Sequence, residues 1–146
     1  MYRIVISLLY LIIFSCAKDS SIKENRSMKV IPIPDKDYIY EMRTYNSHPD
    51  KLRDLENRFR NHTNSLFIKH GMNPVGYWTI IEGDNKENTL FYIIAHSDRS
   101  AAKESWSTFI ADPEWKKVYK ESRKNGPLVS KIKSEFMQAT DYSPIK

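Results

Sequence analysis

From Tyr38 onward, apolar and polar positions fall into two rhythms, one of period two and one close to 3.6. Tyr38-Ile-Tyr-Glu-Met-Arg-Thr-Tyr45 is aromatic, β-branched and alternating, and Asn46-Ser-His-Pro49 stops it, which predicts a strand. Leu52, Leu55, Phe59, His62 and Leu66 then recur in steps of three, four and seven. They predict a helix opened by Pro49 and Asp50 and running to about His70, with Arg53, Glu56, Arg60 and Lys69 off its apolar stripe. Gly71 suits its left-handed closing position. Pro74–Ile81 and Leu90–His96 read as two strands joined by the polar turn Glu82–Thr89, a connection too short for a crossover helix and therefore antiparallel. Ser97 or Asp98 caps a second helix carrying Ala101, Ala102, Trp106 and Phe109. Asp112-Pro113 restarts the chain as a further helix through Trp115, Val118 and Tyr119. Asn125-Gly-Pro127 ends it, and Ile132–Ala139 makes a fourth strand.

The order is β-α-β-β-α-β with the second helix split. This is an α+β, ferredoxin-like pattern: a four-stranded antiparallel sheet with its helices on one face. Alternation puts Glu41, Arg43 and Tyr45 on one side of the first strand and Tyr40, Met42 and Thr44 on the other. We expect the Met42 side to meet the helices. The Glu41 side, mixing aromatic bulk with an opposite-charge pair, is expected to line a cavity closed by a second sheet.

The N-terminal pattern is different. Arg3 precedes an apolar run, Ile4–Phe14, that as a helix reaches about 16 Å, roughly half of a bilayer core of about 30 Å. A charged start, a short apolar stretch and a small residue before a polar break describe a cleavable secretory signal. Ile13-Phe14-Ser15-Cys16 further resembles a bacterial lipoprotein signal, with Phe14 where a smaller residue is usual. That resemblance implies lipidation of Cys16 as the first mature residue, and two or more acyl chains anchor stably where one does not. Residues 17–36 are dominated by Lys, Asp, Ser, Glu and Asn and read as a flexible tether. The expected organisation is a leader over 1–15, a lipidated Cys16 and tether over 16–37, and one domain over 38–146. The implied location is the lipid-anchored face of a bacterial cell envelope, with the outer membrane favoured.

Composition narrows the chemistry. The chain has 146 residues, one Cys, four Gly and a net charge of +5. One cysteine excludes a disulfide framework and any multi-Cys zinc or iron–sulfur site, and four glycines supply no phosphate loop. Removal of residues 1–15 leaves 22 basic and 18 acidic residues, a net charge of +4. The positives are interspersed with acids, as Lys116, Lys117 and Lys120 are with Glu114 and Glu121, so a solvated face accounts for them and no nucleic-acid partner is expected.

Glu41 and Arg43, two apart on a strand, share a face. In a cavity the carboxylate can serve as a base and the guanidinium as an anion clamp; equally, the two can be a structural ion pair. His96, at a strand end, is a third weak catalytic candidate. Tyr45, Tyr77, Trp78 and Tyr92 are candidates for a ligand wall, or else core or dimer packing. Trp106 and Trp115 read as core. His62 and His70 lie eight apart on one helix with no acid completing a metal set, and no metal or other cofactor is expected.

Tyr40-Glu-Met-Arg-Thr-Tyr45, Lys69-His-Gly71, Val75-Gly-Tyr-Trp-Thr79, Trp106–Trp115 and Asp141-Tyr-Ser-Pro144, in that order, resemble the NIPSNAP family over nearly the whole domain. The resemblance implies a dimeric α+β barrel, two sheets face to face with a small cavity per subunit. It implies no settled reaction. The same fold includes haem-degrading and quinone-forming monooxygenases and lactone isomerases. Three functions stay open: a membrane-anchored homodimer binding a small apolar or aromatic ligand, a cofactor-independent monooxygenase or isomerase, and a non-catalytic interaction module.

Overall fold

A computed structural model describes residues 38–145. The leader, Cys16 and the tether expected from the sequence lie outside the described residues. The elements are β1 (Ile39–Ser47), α1 (Leu52–Arg58), a π-helical turn (Phe59–Thr63), α2 (Asn64–Lys69), β2 (Asn73–Thr79), β3 (Thr89–His96), α3 (Arg99–Ala111), α4 (Pro113–Glu121) and β4 (Val129–Gln138). The four strands form one antiparallel sheet in the order β2-β3-β1-β4. The element order, the sheet and the helix split at Asp112 are those of a ferredoxin-like α+β fold. Among the described residues no helix is long and apolar enough to cross a membrane.

Local chemistry explains where the helices start and stop. The Asp98 side chain accepts from the Ala101 amide and caps α3; Asp112 accepts from the Glu114 amide and caps α4, with Pro113 at its first position. Gly71, at φ 75°, ends α2. The first helix begins at Leu52, after Asp50, which itself has a positive φ of 61°.

The π-helical turn changes which residues face inward. A regular helix continues the stripe Leu55, Phe59, His62, Leu66. The extra residue of the π turn rotates the following segment, so Thr63 and Phe67 join Leu66 in the interior and His62 is exposed.

Register settles the two faces of the sheet, because directly paired residues share a face. Glu41 pairs with Ile94 and Phe136, Arg43 with Tyr92 and Ser134, Tyr45 with Leu90 and Ile132. Tyr45, Leu90, Tyr92 and Ile94 join Leu55, Phe59, Leu66, Phe67 and Phe109 in the core, so this face is the one the helices cover. The expectation that the Met42 side meets the helices is therefore reversed. The reason is chemical: the Glu41 charge is fully ligated by side chains of the fold, and its neighbours on that face supply the bulk of the buried apolar surface. The opposite face carries the buried Tyr40, the half-buried Met42, Thr44, Phe91 and Ile93 and the exposed Trp78, with the C-terminal segment after β4 beside Tyr40 and Ile93.

Candidate functional site

Glu41 stands in the middle of β1 with about 1% of its surface exposed. An ionised carboxylate buried this deeply requires donors, and four converge on it. Arg43 Nη1 and Ser134 Oγ each donate to Oε1 at 2.6 Å, and Trp106 Nε1 donates to Oε2 at 2.6 Å. His96 Nε2 lies 3.2 Å from Oε2 and, facing an acceptor-only group, donates to it. Burial alone would raise the Glu41 pKa, but the hydrogen bonds from His96, Ser134, Trp106 and Arg43 outweigh it and bring the value from 4.5 down to about 2. A carboxylate so acidic, with both oxygens taken, is an anchor for its neighbours and a poor base at neutral pH.

What Glu41 anchors is Arg43. Its guanidinium lies over the Trp106 ring, 4.2 Å from the centroid, and donates to Tyr45 Oη at 3.3 Å. Burial works against the charge, yet the Tyr45, Tyr92 and Glu41 neighbours raise the Arg43 pKa. Strands β1, β3 and β4 and helix α3 are thus joined through one carboxylate.

Beside this cluster, between sheet and helices, is a cavity of about 550 Å³. Its wall is aromatic, from Tyr45 on β1 through Phe59, Trp106 and Phe109 to Trp115 and Tyr119 on α4. The basic side chains are Arg43, Arg58, Arg123 and Lys131, and no acidic side chain among the described residues lines it. The volume falls within the range of small-molecule sites, roughly 300–1,000 Å³. This cavity lies under the helices of a single chain, on the sheet side that carries Arg43 and Tyr45.

The sequence candidates separate accordingly. Arg43 and Tyr45 line the cavity, and Glu41 and His96 stand behind Arg43 as its support. Tyr92 and Tyr77 do not line it; they pack behind Phe59, at ring-centroid distances of 5.2 and 5.7 Å, with Tyr77 Oη donating to Asn64. Trp78 is 48% exposed, on the sheet face away from the helices. Trp106 and Trp115, read as core, pack against the core and also form cavity wall.

Two contributors went unread. Ser134 gives no signal in a one-dimensional pattern. Arg58 gives a faint one: it sits three residues after Leu55 and next to Phe59, an arginine on the buried stripe of its own helix. Among the described residues no group of three or more metal-ligating side chains converges.

The sequence model of the NIPSNAP family matches residues 40–144. The chain belongs to the NIPSNAP family. Among curated proteins, none matches it significantly. Solved NIPSNAP structures share its fold. A NIPSNAP family protein of unknown function from Agrobacterium tumefaciens is 21% identical with a TM-score of 0.67, over 77% of this chain and 96% of that one. An uncharacterized NIPSNAP-like domain protein from Burkholderia xenovorans is 19% identical with a TM-score of 0.64, over 73% and 89%. SnoaB of Streptomyces nogalater, a cofactor-independent oxygenase, is 18% identical with a TM-score of 0.51, over 74% and 98%. At these identities the likeness is one of fold.

Proposed function

We propose that this NIPSNAP domain binds a small aromatic ligand in the cavity between its sheet and helices, as a homodimer held at a bacterial membrane by a lipid on Cys16. The observation that carries the binding reading is the cavity of about 550 Å³ beneath α3 and α4, walled by aromatic rings and edged by Arg43. Rings offer a flat ligand stacking and edge contacts, and the Glu41 cluster holds Arg43 in place before any ligand arrives. On the sheet face away from the helices, the exposed Trp78 beside the half-buried Met42, Phe91 and Ile93 supports the dimer, since apolar surface left uncovered marks interaction sites. The apolar run before Cys16 supports the anchor.

The test is native mass spectrometry of the full chain purified from membranes, followed by a thermal-shift screen with naphthalene-sized aromatic probes. A co-purified small molecule, or a probe that raises Tm in the wild type but not in a cavity-filling Val129→Trp variant, is the expected result. Absence of both sinks the binding reading. Palmitate labelling tests the anchor: the label is expected on the wild type and lost in Cys16→Ala.

An oxygenase reading is favoured by one observation, the likeness of fold to SnoaB, a cofactor-independent oxygenase. It expects oxygen consumption by the purified protein in the presence of the ligand found above. The saturated Glu41 carboxylate argues for binding without catalysis.

A further inference from the structure

Arg58 is a buried cation whose surroundings do not balance its charge. It is 6% exposed, at the end of α1 where the π-helical turn begins. Its one side-chain hydrogen bond among the described residues runs from Nη1 to Ser122 Oγ at a long 3.4 Å, and its Nε has no partner. The guanidinium lies 5.4 Å from the Trp115 ring centroid and 5.7 Å from that of Tyr119, two rings of the cavity wall.

Asp54, Glu114 and Glu121 line the shallow groove on the outer side of Arg58. Each is engaged elsewhere: Asp54 with Lys51, Glu114 with Lys69, Glu121 with Lys124. Arg43, by contrast, has its counter-ion in Glu41. The cavity thus contains one neutralised arginine and one that is not, with Arg123 and Lys131 adding positive charge at its edge. A buried charge without an opposite one is costly to fold, and a ring face offsets only part of that cost. Aromatic walls beside a guanidinium without a counter-ion suit a flat anion: the rings hold the body, and the guanidinium takes a carboxylate through its N–H donors.

We infer that the ligand of the cavity is an aromatic carboxylate, its ring held among Tyr45, Trp106, Trp115 and Tyr119 and its carboxylate paired with Arg58. This rests on the cavity being the ligand site. It adds the charge class of the ligand and names the residue that selects it.

The experiment compares 2-naphthoate with its neutral isostere 2-naphthamide, following tryptophan fluorescence of the full chain in detergent. The acid is expected to bind about tenfold tighter than the amide or better. In Arg58→Met that preference disappears, the acid losing far more affinity than the amide, while Arg58→Lys keeps part of it. Lys131→Met, at the edge, weakens the acid only slightly, and that loss shrinks with added salt. Equal binding of acid and amide to the wild type overturns the charge assignment and leaves the cavity reading standing. Survival of the preference in Arg58→Met overturns the role of Arg58. Binding of neither probe overturns both readings. The wild-type comparison does not depend on how any variant folds.

Discussion

Glu41 shows how one buried charge can organise several elements. Four donors from β1, β3, α3 and β4 meet its two oxygens, and its pKa falls from 4.5 to about 2. A carboxyl group more acidic folded than unfolded adds stability that is present above the unfolded value and disappears as pH falls through the folded one. The shift corresponds to about 3 kcal/mol, present at neutral pH and drained between roughly pH 4.5 and 2. Replacement by Gln retains the shape but turns one acceptor into a donor facing donors. Glu41→Gln is expected to lose about 3 kcal/mol or more in urea unfolding at pH 7, and the gap to wild type is expected to narrow as both are titrated toward pH 2. A gap independent of pH would contradict the ionised anchor.

The helices are tied to one another by polar links as well as by the core. Asp112, which caps α4, also accepts from Lys69 Nζ at 2.8 Å and from His70 Nε2 at 2.7 Å, so the end of α2 is latched to the junction of α3 and α4. Lys69 and then His70 hold the Asp112 carboxyl below its usual range. Gly71 turns the chain out of α2 at φ 75°, and a Cβ there would meet only Ser105 Oγ at an ordinary 3.6 Å. The cost of Gly71→Ala is therefore conformational alone, an expected loss of about 1 kcal/mol in chemical denaturation, with the core unchanged. The π-helical turn has the larger consequence for the site. By adding a residue between Phe59 and Thr63 it carries Phe67 into the core and against Trp106, at a ring-centroid distance of 5.4 Å.

The described domain presents a sheet with two unlike faces. One is covered by helices and encloses the cavity; the other carries the half-buried Met42, Phe91 and Ile93 and the exposed Trp78. A second copy laid on that outer face would bury it without touching the ligand site, so dimerisation and binding should be separable. Light scattering of the purified protein at micromolar concentration is expected to give twice the chain mass. Ile93→Lys is expected to give the monomer mass with unchanged far-UV circular dichroism, and ligand binding is expected to persist in it. A monomeric wild type would remove the proposed dimer.

Strands, helices and caps were legible in the sequence because they depend on neighbours: alternation in β1, Asp98 and Asp112 before their helices, Gly71 after α2. The pairing of Glu41 with Arg43 was legible for the same reason, since residues two apart on a strand share a side. Which side of the sheet that was could not be read, because both faces of β1 carry aromatic and apolar residues and only packing against α3 distinguishes them. His62 was misplaced by a π-helical turn that no local pattern announces. Ser134 and Trp106 reach Glu41 from 93 and 65 residues away along the chain, and Arg58 meets Trp115 only when α4 folds over α1. Short-range periodicity and capping thus determined the elements, and a run of short motifs carried the family resemblance, while the cavity, its unbalanced arginine and the face that holds them were decided by contacts between residues that only the folded chain brings together.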